Sequence, residues 1–122
     1  MTARIRHIAI SCEDNLAAAE FYARVFDMRE VDRRPHPTEP GVFFVSVSDG
    51  HINLALVPKI VGYPPGINHF GFHVDDVHAT YDTALAAGAR SGGELPRGVN
   101  PQLVIVDPTG TRVDLTAKGW NT

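Results

Sequence analysis

The sequence predicts an α+β fold made of two tandem β-α-β-β-β modules. Three observations predict it. The segment Ile5-Arg6-His7-Ile8-Ala9-Ile10-Ser11-Cys12-Glu13-Asp14 is repeated, about half the chain later, by Ile67-Asn68-His69-Phe70-Gly71-Phe72-His73-Val74-Asp75-Asp76. Each copy alternates side-chain types as a strand does, then meets an acidic residue and a stripe with helical spacing. Each stripe is followed by three further strand-like runs separated by turn residues.

The elements follow in order. After the opening strand, Asp14 or Asn15 caps a helix running to about Met28, with Ala18, Phe21, Tyr22, Val25 and Phe26 as its apolar stripe. Strands are expected over 29–34, 42–48 and 51–57. Asp49-Gly50 reads as a two-residue type I′ hairpin, because Gly tolerates the positive φ that this turn demands. Loops fall at 35–41, 58–66 and 96–102, and Pro64-Pro65-Gly66 marks the middle one as the linker between modules. In the second copy Asp75 or Asp76 caps a helix with the stripe Val77, Tyr81, Ala84 and Leu85, and Gly88 stops it. Strands follow near 92–95, 103–106 and 112–117, with Asp107-Pro108-Thr109-Gly110 fitting a type I turn. Module 1 covers about 1–60 and module 2 about 66–122, within one domain spanning 1–122.

Composition bounds the function. A chain of 122 residues and 13.3 kDa holds one compact domain or two small lobes sharing a core. Hydrophobic residues at 43% and charged residues at 20% exclude disordered and low-complexity classes. A net charge of -3 and no Lys/Arg block argue against a nucleic-acid partner. Apolar runs fall far short of the roughly 20 residues of a membrane span, and 1–7 contains no secretory apolar region. The single cysteine, Cys12, excludes an internal disulfide and a Cys-based zinc site, and it fits a reducing cytoplasm. Any metal must therefore take histidine and carboxylate ligands.

Strand alternation selects the candidates. In the opening strand Ile8, Ile10 and Cys12 share one face, and Ile5, His7, Ala9 and Ser11 the other. In the repeat, Phe70, Phe72 and Val74 oppose His69, Gly71 and His73. The apolar faces should lie under the helices, so the imidazoles point to the opposite side, which Ala9, Ser11 and Gly71 are expected to leave open. In the last strand Val113 and Leu115 oppose Arg112, Asp114 and Thr116. An Asp inside a strand is disfavoured, and its burial is costly without a partner. His7, His69 and Asp114 form a two-histidine, one-carboxylate set suited to a divalent Fe, Mn, Co, Ni or Zn ion with open coordination positions.

The stretches "RIRHIAISCEDNLAAAEFYARVFDM", "DGHINLALVP", "INHFGFHVDDV" and "VDPTGTRVDL" resemble, in order and spacing, the vicinal oxygen chelate superfamily. Its members include glyoxalase I, bleomycin-resistance proteins, methylmalonyl-CoA epimerase and extradiol dioxygenases. The resemblance implies curved sheets forming a cavity-enclosing mixed sheet, a cavity commonly completed by a second subunit, and hence a homodimer. It places metal positions on His7, His69 and Asp114. In glyoxalase I and the epimerase a fourth ligand comes from the fourth strand, where this chain has Asn53 or Leu54 and no carboxylate; three-ligand members such as the dioxygenases lack that side chain too. The family normally carries Glu where this chain has Asp114.

Two functions follow as expectations. The first is a metal-dependent lyase, isomerase or dioxygenase acting on a small substrate that chelates the ion through two adjacent oxygens. The alternative is a non-catalytic drug- or metabolite-binding protein of the bleomycin-resistance type. Phe44, Asn53 and His73 are the candidate substrate-binding residues, and His73 is also a candidate for proton transfer. Glu13 reads as a helix-capping residue, Arg34 and Arg97 as weak anion anchors, and Trp120 as a tail residue that covers a neighbouring subunit or is disordered. A ligating Asp114 carboxylate supports the enzyme. One turned to solvent, or salt-bridged to Arg112, removes the basis for that catalysis.

Overall fold

The computed structural model describes residues 2–94 and 103–122. The expected loop at 96–102, the end of the strand at Leu95 and the anchor Arg97 lie outside the described residues. The elements are β1 (Arg4–Cys12), α1 (Asn15–Phe26), β2 (Arg29–Pro35), β3 (Phe43–Ser48), β4 (Asn53–Pro58), a short 3₁₀ turn (Lys59–Val61), β5 (Gly66–His73), α2 (Val77–Ala86), β6 (Arg90–Glu94), β7 (Leu103–Val106) and β8 (Arg112–Thr116). This is an α+β chain with β-α-β-β-β written twice and with parallel and antiparallel strand pairs. No described helix is long and apolar enough to cross a membrane.

One compact unit takes His7–Asn68 with Asn121–Thr122. Its strands run in the order β2-β3-β4-β1, and β1 lies parallel to β4 with His7 opposite Asn53. Ala19, Val45, Val47 and Leu56 form its core, with Ile10, Tyr22, Met28, Phe43 and Leu54 packed around them. The Asp14 carboxylate caps α1 by accepting from the Ala17 N–H at 3.0 Å. The face that α1 buries overlaps the expected stripe only in part, since Ala18 and Tyr22 pack against the core. Asn15 and Ala19 are its buried residues, whereas Phe21, Val25 and Phe26 are more than half exposed. Asn15 explains the choice, because its Nδ2 donates to the carbonyls of Phe43 (2.7 Å) and Leu56 (3.0 Å) and so pins the first turn to the sheet.

The β3–β4 connection also departs from expectation. β4 begins at Asn53, so the loop is longer than a two-residue hairpin. Gly50 takes a positive φ of 95°, but Asp49 does not; its carboxylate instead accepts from the N–H groups of His51 and Ile52. The side chain thus supplies the hydrogen bonds that a tight turn takes from backbone.

The other unit takes the described residues of Met1–Arg6 and His69–Trp120. Its strands run β5-β8-β7-β6, with β5 parallel to β8 and Gly71 opposite Asp114. Val74, Val77, Leu103, Ile105, Val113 and Leu115 form the core under α2. Asp76 caps α2 through the Ala79 N–H at 3.0 Å. The helix ends at Ala86, and Gly88 follows at φ 105°, the backbone state expected of a stop.

The turn at 107–110 is as expected, with the Gly110 N–H donating to the Asp107 carbonyl at 3.0 Å. The Thr109 hydroxyl, donating to Asp107 Oδ1 at 2.7 Å, leads in holding that carboxyl below its ordinary value, and the Thr111 N–H adds to it. A depressed folded-state value stabilises above the unfolded aspartate range, near 3.9, and is lost as pH falls through the folded value. Wild type is therefore expected to exceed Asp107→Asn in denaturant midpoint at pH 7, and the gap should narrow as pH falls below about 3.9. A gap independent of pH would refute the ionic origin.

Candidate functional site

In the first unit β1 and β4 carry the site. The parallel register puts His7 directly opposite Asn53, and His7 Nδ1 lies 3.1 Å from Asn53 Oδ1. The opposite register neighbour, Ser48 on β3, extends the same row. Asn53, not Leu54, therefore occupies the position beside His7, while Leu54 packs on the core side. Asn53 Nδ2 also donates to the main-chain carbonyl of Asn121 at 2.9 Å. His7 is 6% exposed and Asn53 3%. The expected open side is thus a buried one, since Ala9 and Ser11 on the same face are buried too.

In the second unit β5 and β8 bring His69 and Asp114 together. His69 Nε2 lies 3.1 Å from Asp114 Oδ2, and both residues are buried. Arg112 Nε donates to the other oxygen, Oδ1, also at 3.1 Å. The carboxylate is not turned to solvent: Asp114 is 1% exposed. The ion pair with Arg112 is the arrangement set against a ligating Asp114, yet it engages one oxygen only. A carboxylate has two oxygens, so one can be held while the other faces the imidazole.

Gly71 does not leave a gap. A Cβ built there would meet Trp120 Cη2 at 2.5 Å and Asp114 Cβ at 3.2 Å. The indole fills the space that the missing side chain provides, so Trp120 belongs to this face rather than to a disordered tail. A glycine inside a strand signals close approach of another group, but nothing local says that the group is Trp120.

The remaining candidates make their contacts within their own units. Phe44 lies on the Ser48 face of β3, with the Arg34 guanidinium 5.3 Å over its ring and His36 stacked at 5.8 Å. His73 is exposed, and its Nε2 donates to the Ala117 carbonyl at 2.9 Å. That bond anchors the start of the tail, and His73 is not among the groups gathered around Asp114. Glu13 is exposed and pairs with Lys59 at 2.7 Å. Arg112 holds Asp114 as the ion-pair partner anticipated from the sequence, whereas the Asn121 carbonyl at Asn53 is a contact the sequence did not suggest. The alternation placing Arg112 on the Asp114 face was the available signal for the first.

The Glyoxalase/Bleomycin resistance protein/Dioxygenase superfamily model matches residues 4–115. The chain belongs to this superfamily. No curated protein matches the sequence significantly. Among solved structures, a hypothetical protein from Bacillus halodurans C-125 is similar at a TM-score of 0.74, with 15% identity and 94% of each chain covered. Methylmalonyl-CoA epimerase from Mycobacterium tuberculosis is similar at 0.70, with 18% identity, covering 92% of this chain and 85% of that one. A variant of the Streptomyces coelicolor epimerase in complex with 2-nitronate-propionyl-CoA is similar at 0.69, with 22% identity and 100% of both chains covered. At these identities the structural likenesses establish the superfamily's fold.

Proposed function

We propose that the protein is a metal-dependent enzyme of this superfamily, in which His7, His69 and Asp114 together hold one divalent ion. The observation that carries the reading is Asp114, a carboxylate 1% exposed whose Oδ2 faces His69 of the paired strand β5 at 3.1 Å. The donor set fits: two buried imidazoles and one carboxylate suit Fe, Mn, Co, Ni or Zn. When bound, such an ion supplies a Lewis acid that two adjacent substrate oxygens chelate, which favours reactions passing through an oxyanion or enolate. The chain's own residues orient and hold protons. Arg112 Nε–H fixes Asp114 Oδ1, which directs Oδ2 toward His69. The Asn53 amide fixes the His7 ring through Nδ1. Trp120 over Gly71 keeps water from the Asp114 side of the strand. An isomerase is the reaction class supported by the likeness to methylmalonyl-CoA epimerases, which are isomerases, and lyase or dioxygenase chemistry uses the same donors. A homodimer and a cytoplasmic setting belong to this reading, and the exposed Phe21, Val25 and Phe26 on α1 supply an apolar face for a second copy.

One observation favours the second reading, a metal-free binding protein of the bleomycin-resistance type. Asp114 is already charge-paired by Arg112, so the second unit's carboxylate is satisfied without an ion. The two readings separate on one measurement. Protein purified without chelators is expected to carry about one divalent ion per chain by elemental analysis, and His7→Ala to lose it. Wild-type protein that carries no metal and takes up none from Zn(II), Mn(II) or Co(II) would favour the binder.

A further inference from the structure

The Asn53 side chain is held at both ends. Its nitrogen end faces the Asn121 main-chain carbonyl at 2.9 Å. A carbonyl only accepts, so this contact determines which end of the amide carries the N–H groups. The other end, Oδ1, therefore faces His7 Nδ1 at 3.1 Å. An amide oxygen also only accepts, so Nδ1 must be the donor.

We infer that Asn53 is a positioning residue that holds His7 in the Nδ1–H tautomer, with the lone pair on Nε2. Three features support the assignment. The two side chains are directly opposite in a parallel ladder, so backbone pairing sets their separation. Both are buried, at 6% and 3% exposure, so water does not compete for the bond. The amide is anchored by a third group from the tail, which prevents it from flipping. A neutral imidazole that ligates through Nε2 must carry its proton on Nδ1, and the group accepting that proton sets ring orientation and ligand basicity. Asn53 therefore acts on the side of the ring away from Nε2, a role distinct from a fourth ligand. The tautomer itself is independent of any metal; its functional meaning rests on the proposed role of His7.

The test reads the tautomer first. Long-range proton–nitrogen correlation spectra of metal-free protein with ¹⁵N-labelled histidine, recorded at about pH 8 where imidazoles are neutral, are expected to show His7 protonated at Nδ1. Asn53→Leu removes the acceptor and should move the proton to Nε2. Asn53→Asp restores an acceptor and should keep it on Nδ1. Co(II) titration is expected to show affinity about 10- to 100-fold weaker in Asn53→Leu, with Asn53→Asp close to wild type. His7 protonated at Nε2 in wild type, or at Nδ1 in Asn53→Leu, would overturn the inference. Should Asn53→Leu not fold, the wild-type spectrum decides alone. A tautomer that responds to Asn53 in a protein binding no Co(II) would uphold the inference and reject the metal-dependent reading. Co(II) binding with an unresponsive tautomer would do the reverse.

Discussion

Asp114→Ala is expected to remove stoichiometric metal and to lower the unfolding free energy by about 2–3 kcal/mol. Both effects come from one carboxylate. Its two oxygens meet different partners, Arg112 Nε on Oδ1 and His69 Nε2 on Oδ2, each at 3.1 Å. Breaking a fully buried ion pair by deleting one partner costs about 3–5 kcal/mol, because the remaining charge is stranded. Here the Arg112 side chain keeps 27% of its exposure and can turn toward water, so the cost falls below that range. Asp114→Asn preserves shape and one acceptor oxygen. It should recover much of the stability while leaving a neutral amide where the ion needs an anionic donor. The paired measurements are denaturant unfolding and metal content. If Asp114→Asn keeps both stability and metal, the carboxylate is not a ligand. If Arg112→Ala with Asp114→Ala is as stable as wild type, the pair is a structural accommodation whose removal the fold tolerates.

Much of the architecture was legible because the chain repeats itself. The duplicated strands aligned His7 with His69, and alternation on the closing strand set Asp114 apart from Val113 and Leu115. These periodicities are local, so they survive without tertiary information. What was not legible depended on long-range contacts. Ala9 and Gly71 show that a face has room, but not what occupies it. The occupant over Gly71 is Trp120, from the far end of the sequence. The apolar stripe of α1 was right for Ala18 and Tyr22 and misled for the rest, for a similar reason. Phe21, Val25 and Phe26 are the larger hydrophobics, yet Asn15, bonded to two strand carbonyls, decides which side of the helix meets the sheet. A polar residue in a first turn reads as a cap, and only the position of the Phe43 and Leu56 carbonyls reveals the alternative. Asn53 illustrates both limits. Its strand position was readable, whereas its role depends on a backbone carbonyl from the tail.

The largest purely structural effect is expected at Leu115, the residue next to the candidate ligand. Leu115→Ala should cost about 2–5 kcal/mol by denaturant unfolding. The side chain is 2% exposed and packs among Val74, Val77, Leu103, Ile105 and Val113. Truncation loses the burial of the removed carbons and leaves a cavity, and β-sheet neighbours held by ladder pairs on both sides have little freedom to close it. Leu85→Ala is the control: Leu85 is 37% exposed on α2, and its truncation should cost well under half as much. The informative comparison is with Asp114. Adjacent strand residues face opposite sides, so Leu115 supports the core while Asp114 serves the polar face. Chains of Leu115→Ala that remain folded, judged by near-ultraviolet circular dichroism, should keep their metal. Asp114→Asn should show the inverse, with stability largely kept and metal lost. Loss of metal in folded Leu115→Ala would mean that the two sides of β8 are energetically coupled. Asp114 would then be held in place by the core behind it as well as by Arg112.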